Sequence, residues 1–140
     1  MPAALVTGTF NPPHMGHVKL IKAAIEKRDH VVVVVLAAPH DRLAANDRAR
    51  ALLQDCVAEG VSEAAMTIVQ GYESTPYDPG NSAVAKSNAR VIEAHLRHTP
   101  PVDLLVTSET NGDEFAKLLG LHHHSFDPDR TQVPVSSTQI

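Results

Sequence analysis

The 140-residue chain is 43% hydrophobic, enough for one domain with a real core, and nothing in its composition marks a second. With 12 basic and 16 acidic residues the formal charge is −4, and no long basic run stands out, which argues against a nucleic-acid partner. The single cysteine, Cys56, excludes an intramolecular disulfide and suits a reducing compartment.

In chain order, Ala3 to Thr7 reads as a short buried strand. No basic segment precedes it, and Asn11-Pro12-Pro13 interrupts too early for a secretory leader, so the expected location is the cytoplasm. Gly8 to His17 follows as a turn containing two prolines and two histidines. Val18, Leu20, Ile21 and Ile25 then recur at helical spacing and predict a helix over His17 to Lys27. His30 to Ala37 holds five successive valines, the pattern of a strand buried on both faces of a helix-covered parallel sheet. The longest apolar run, Val31 to Ala38, has eight residues against the roughly 20 that a membrane helix needs, so no membrane partner is expected. A helix over Asp47 to Glu59, with Cys56 as a small buried residue, precedes a strand over Ala65 to Val69 and a long connection over Tyr72 to Asn81. Next come a helix over Ser82 to His98 and a strand over Val102 to Thr107. A short helix over Asp113 to Leu119, a strand over His122 to Phe126 and a helix beginning near Ser136 close the pattern. His122-His123-His124 reads as a partly exposed strand rather than a metal site, outside the chemistry.

Strand and helix thus alternate, which predicts an α/β fold: a Rossmann-like, doubly wound parallel sheet with helices on both faces. Ligands of such sheets bind beyond the carboxyl ends of the strands. Thr7 to Asn11, Pro39-His40, Gly71 to Tyr77 and Thr107 to Glu109 all fall at such ends, so residues distant in sequence are expected to converge on one cleft. The Gly8 to His17 corner delivers a helix N-terminus, where unpaired amides and the peptide dipoles attract an anion. His14 and His17 can aim imidazole donors at one such group, and the glycines admit its oxygens close to the backbone. The corner reads as a triphosphate site.

Gly8-Thr9-Phe10-Asn11-Pro12, followed by His14-Met15-Gly16-His17, resembles the HxGH signature of the nucleotidylyltransferase superfamily. Its members move AMP or CMP from a nucleoside triphosphate to a small phosphate-bearing acceptor. Val135 to Ile140 resembles the second signature of that superfamily, ISSTxIR, without its final arginine. Between them, Asp47-Arg48-Ala49-Arg50, Val106-Thr107-Ser108-Glu109 and Phe126 to Arg130 stand in the order of the NadR-type nicotinamide mononucleotide (NMN) adenylyltransferases. The resemblance covers nearly the whole chain.

It implies transfer of AMP from ATP to NMN, forming NAD and pyrophosphate, with His14 and His17 catalytic. ATP contacts would come from Gly8, Thr9, Phe10, Gly16, Thr107, Ser108 and Glu109, with Arg130, Ser136, Ser137 and Thr138 around the phosphates. Asn11, Arg48 and Tyr77 are the acceptor-side candidates, although Arg48 equally suits a solvated helix start and Tyr77 a rigid turn. A phosphate monoester, with a second pKa near ~6, is mostly dianionic at neutral pH and needs no general base. The expected cofactor is Mg²⁺, held mainly by the substrate phosphates, with no metal site on the protein.

Two departures accompany the resemblance. The chain has no tryptophan, whereas the NadR-type loop that resembles Pro76 to Asn88 carries one. It also stops at Ile140, so the expectation is one domain over 1–140 cut within its C-terminal helix. The same chemistry on a pantetheine phosphate, a flavin mononucleotide or a cytidylyl acceptor stays open, as do a regulatory module without turnover and a homo-oligomer.

Overall fold

The computed structural model describes residues 2–10, 13–37, 44–72, 81–108 and 112–126, without the side chains of Tyr72 and Ser82. The elements are β1 (Ala3–Gly8), α1 (Met15–Arg28), β2 (Val31–Ala37), α2 (Ala45–Ala58), β3 (Met66–Tyr72), α3 (Ser82–His95), β4 (Val102–Thr107), α4 (Gly112–Leu119) and β5 (His122–Ser125). Short 3₁₀ turns at Glu63–Ala65 and Leu96–His98 lead into β3 and tighten the end of α3. The strands lie in the order β3-β2-β1-β4-β5 and every pairing is parallel. The architecture is the Rossmann-like one that the alternation predicts.

The five valines explain why β2 sits near the middle. Every residue of β2 is buried, and alternate side chains enter two different cores. Val31, Val33, Val35 and Ala37 meet Val18, Ile21 and Ala24 of α1 and Ala49, Leu52 and Cys56 of α2. Val32, Val34 and Leu36 share the other core with Ala85, Ala89 and Ile92 of α3 and Phe115 and Ala116 of α4. Helices therefore cover both faces of the sheet.

α1 and α2 each start two residues before the predicted position. For α1 the reason is a histidine cap described below. For α2, Ala45 is wholly buried and belongs to the core, so packing extends the helix past the acidic residue that looks like its start. Arg28, the last residue of α1, pairs with Asp103 of β4 at 2.8 Å, tying the helix to the opposite end of the sheet from the carboxyl strand ends. Among the described residues no helix is long and apolar enough to cross a membrane.

The site follows from the strand order. From β1 the chain moves outward through β2 to β3, then returns to place β4 on the other side of β1. The connections leaving β1 and β4 therefore part toward opposite faces, α1 joining one core and α4 the other. Between them opens the crevice where doubly wound sheets bind ligands.

Candidate active site

β1 ends at Gly8 and the chain leaves the sheet through Thr9 and Phe10. Phe10 has φ 48, a left-handed backbone that few non-glycine residues adopt and that costs about 1–3 kcal/mol. Two contacts hold it there. The residue is 1% exposed, and its ring stands edge-on to the His17 imidazole, with centroids 4.6 Å apart and an interplanar angle of 69°. One residue earlier, the Thr9 carbonyl accepts a 3.1 Å hydrogen bond from Arg48 Nη1. Arg48 is itself fully buried on α2, and the same nitrogen reaches the Leu36 carbonyl at 3.4 Å. Arg48 thus joins α2, the end of β2 and the turn after β1. The Phe10 ring is core.

The two histidines build the helix start. His14 is the N-cap of α1, with extended backbone, and its Nδ1 accepts from the Gly16 amide at 3.0 Å. In return His17 Nδ1 accepts from the His14 amide at 3.1 Å. This is a reciprocal capping box, made with two imidazoles where a hydroxyl and a carboxylate commonly serve. It fixes chemistry as well as shape. A ring nitrogen that accepts from a backbone N–H carries no proton, so in each neutral imidazole the proton sits on Nε2. Each neutral ring is thereby the Nε2–H tautomer. The rings stack with centroids 3.9 Å apart and 23° between planes. The amides of Gly16 and His17 are engaged by His14 Nδ1 and the His14 carbonyl.

Across the crevice, β4 ends at Thr107, with Ser108 next, both half-buried. Thr107 Oγ1 lies 2.7 Å from His123 Nε2, and His123 Nδ1 lies 2.7 Å from Asp113 Oδ1. β5 is the partly exposed strand expected of the three histidines, and within it the His123 side chain is 7% exposed. The signal that could have revealed it is parity: in β5, His122 faces solvent while His123 turns toward α4. His124 lies on the other side, where burial, then Lys27, then His123 lower its pKa from 6.5.

The fold thus gathers Gly8, Thr9, Phe10, His14, Gly16, His17 and Arg48 at the β1 corner, with Thr107 and Ser108 ending the neighbouring strand. Asn11, Tyr77, Glu109, Arg130, Ser136, Ser137 and Thr138 lie outside the described residues, as do Pro39-His40 and the helix expected near Ser136. Among the described residues no three His, Cys, Asp or Glu side chains gather to hold a metal.

The cytidylyltransferase-like family profile matches residues 5–140, almost the full chain. The chain belongs to that family. The fold of this cytidylyltransferase-like chain is similar to solved structures of larger proteins. A NadR protein in complex with NAD and AMP-PNP superposes with a TM-score of 0.59 at 22% identity, over 99% of this chain and 41% of that one. A bifunctional NMN adenylyltransferase/ADP ribose pyrophosphatase from Francisella tularensis gives 0.66 at 15% identity, over 91% and 38%. The same bifunctional enzyme complexed with AMP and a manganese ion gives 0.61, also at 15% identity, over 91% and 37%. The cytidylyltransferase-like chain therefore spans about two fifths of the length of these relatives.

Proposed function

We propose that the chain transfers a nucleotidyl group, and specifically AMP from ATP to NMN, yielding NAD and pyrophosphate. The observation that carries this reading is the pair of stacked imidazoles whose capping bonds leave an Nε2–H on each, at a helix N-terminus beside the switch between β1 and β4. Such donors suit an anion whose charge grows during reaction.

The acceptor phosphate, already mostly dianionic, attacks the α-phosphorus in line. A new P–O bond forms there as the bond to the β-phosphate oxygen breaks, and pyrophosphate leaves with the electron pair. No proton needs to be removed from the nucleophile. His14 and His17 stabilise the charge that develops on the phosphate oxygens, and the helix dipole acts in the same sense. The buried Arg48, bonded to the Thr9 carbonyl, keeps the turn in place and brings positive charge to the acceptor side. Mg²⁺ would be held by phosphate oxygens of the bound ATP and by water, and would neutralise charge there; the two histidines would not ligate it, since each Nδ1 is engaged in a cap and each Nε2 then carries the proton. NAD among the ligands of the NadR structure supports NMN as acceptor.

The deciding experiment is pyrophosphate release with ATP and Mg²⁺ across NMN, phosphopantetheine and flavin mononucleotide, with CTP in place of ATP as a second arm. NMN-dependent release is the expected result. Release with a different acceptor would keep the transfer and replace the substrate, and ATP binding without release would select a regulatory module.

A further inference from the structure

His123 sits on β5, yet its ring bridges two other elements, Thr107 at the end of β4 and Asp113 in the first turn of α4. An ionised carboxylate only accepts hydrogen bonds, so His123 Nδ1 carries a proton. In the neutral ring Nε2 then accepts the hydroxyl proton of Thr107. The series runs from a carboxylate side chain that is 73% exposed to an imidazole that is 7% exposed, ending at the strand terminus.

Hydroxyl, imidazole and carboxylate in this order form the series that activates a nucleophile. Gly112 decides against that use. A Cβ added there would overlap both His123 Nε2 and Thr107 Oγ1, so the α4 backbone lies directly against the hydroxyl and fills the approach an electrophile would need. What the series does instead is clamp. One imidazole secures the residues on either side of positions 109–111, namely the end of β4 and the start of α4.

We propose that His123 is a positioning residue, which with Asp113 holds Thr107 and the first turn of α4 as the β4 wall of the nucleotide crevice. The assignment rests on the nucleotidyl-transfer reading. Leu5 of β1 pairs with Leu105 of β4, so Thr107 lies two residues past that pair, one strand spacing of about 4.8 Å from the strand that feeds the histidine corner. A wall fixed before binding needs no ordering when the nucleotide arrives, so the clamp acts on affinity. The phosphate-facing histidines stand on the other wall, and turnover is left to them.

The test compares His123→Ala, Thr107→Val, the double variant and His123→Gln, with His122→Ala as control. ATP affinity by calorimetry and KM and kcat from pyrophosphate release are read for each. His123→Ala should weaken ATP roughly tenfold, with kcat within about twofold of the parent, and Thr107→Val, which removes a hydroxyl expected at the nucleotide itself, should weaken ATP at least as much. The double variant should be no worse than the weaker single, because both remove one link. His123→Gln, whose amide oxygen can accept from Thr107, should recover most of the affinity, and His122→Ala should match the parent. Unchanged ATP affinity in both single variants, additive losses, or a fall in kcat alone would overturn the assignment. Thr107→Val keeps the side-chain shape, so the comparison survives if His123→Ala fails to fold. A parent chain that binds ATP without releasing pyrophosphate would remove the transfer reading, and the affinity series would still decide the clamp; a parent that binds no ATP would overturn both.

Discussion

Under the proposed function His14 has two separable duties: one ring nitrogen caps α1, and the other would carry the proton offered to phosphate. Asparagine separates them. In His14→Asn the side-chain oxygen can still accept at the N-cap, while the Nε2–H is gone. Urea unfolding should therefore place His14→Asn within about 0.5 kcal/mol of the parent, whereas His14→Ala should lose about 1 kcal/mol. Both should release pyrophosphate roughly 10²–10³-fold more slowly, the size of a lost oxyanion donor. Undiminished turnover in His14→Asn would remove the histidine from the chemistry. Cys56 behaves in the opposite way, as a group withheld from chemistry. Burial, reinforced by Asp55, pushes its thiol up to about 11, so almost no thiolate exists at neutral pH. Alkylation by iodoacetamide at about pH 8 should proceed only as fast as the chain unfolds. Rapid labelling of the native chain would contradict that burial.

Among the elements, β5 contributes most that composition hides. Its three histidines are chemically alike and differ only in facing, His122 to solvent, His123 to α4 and His124 toward Lys27 of α1. His124 is lowered from 6.5 by burial first, then by Lys27 and His123. A lowered histidine binds fewer protons folded than unfolded, so acidification from about pH 6.5 downward removes stability. The urea midpoint of the parent should therefore fall between about pH 7.5 and about pH 5.5 by more than that of His124→Gln. Equal falls would mean that His124 titrates alike in both states. At the other wall, α2 acts through Arg48, whose guanidinium links that helix to the turn after β1 and the end of β2. The left-handed Phe10 persists because α1 and α2 hold both sides of that turn.

For the whole molecule, β2 is the element both cores share. Val33 belongs to the face covered by α1 and α2, and Val34 to the face covered by α3 and α4. Truncating either to alanine deletes buried methyl groups and leaves a cavity, at about 2–3 kcal/mol. Because one strand carries both faces, Val33→Ala and Val34→Ala should each lower the midpoint of a single transition, followed by far-ultraviolet circular dichroism and by amide exchange. Two resolved transitions, one per face, would show that the layers unfold independently.

The sequence by itself determined the fold class, because the valine run and the helical spacings are local patterns whose periods state which faces are buried. It also located the Gly8 to His17 corner as the turn joining the first strand to the first helix, since its glycine and prolines break the periodic patterns on either side. Tertiary structure alone decided what each side chain there does. The N-cap role of His14, the full burial of Arg48 and the inward turn of His123 depend on partners 2 to 39 positions away. Arg48 shows the reason most plainly: Asp47-Arg48-Ala49-Arg50 reads equally as a solvated helix start, and only the packing of α2 against the turn after β1 turns one of its cations inward. A periodic pattern specifies which way a residue faces along its own element, but its protonation and its bonds are set by the neighbour that the sheet brings beside it.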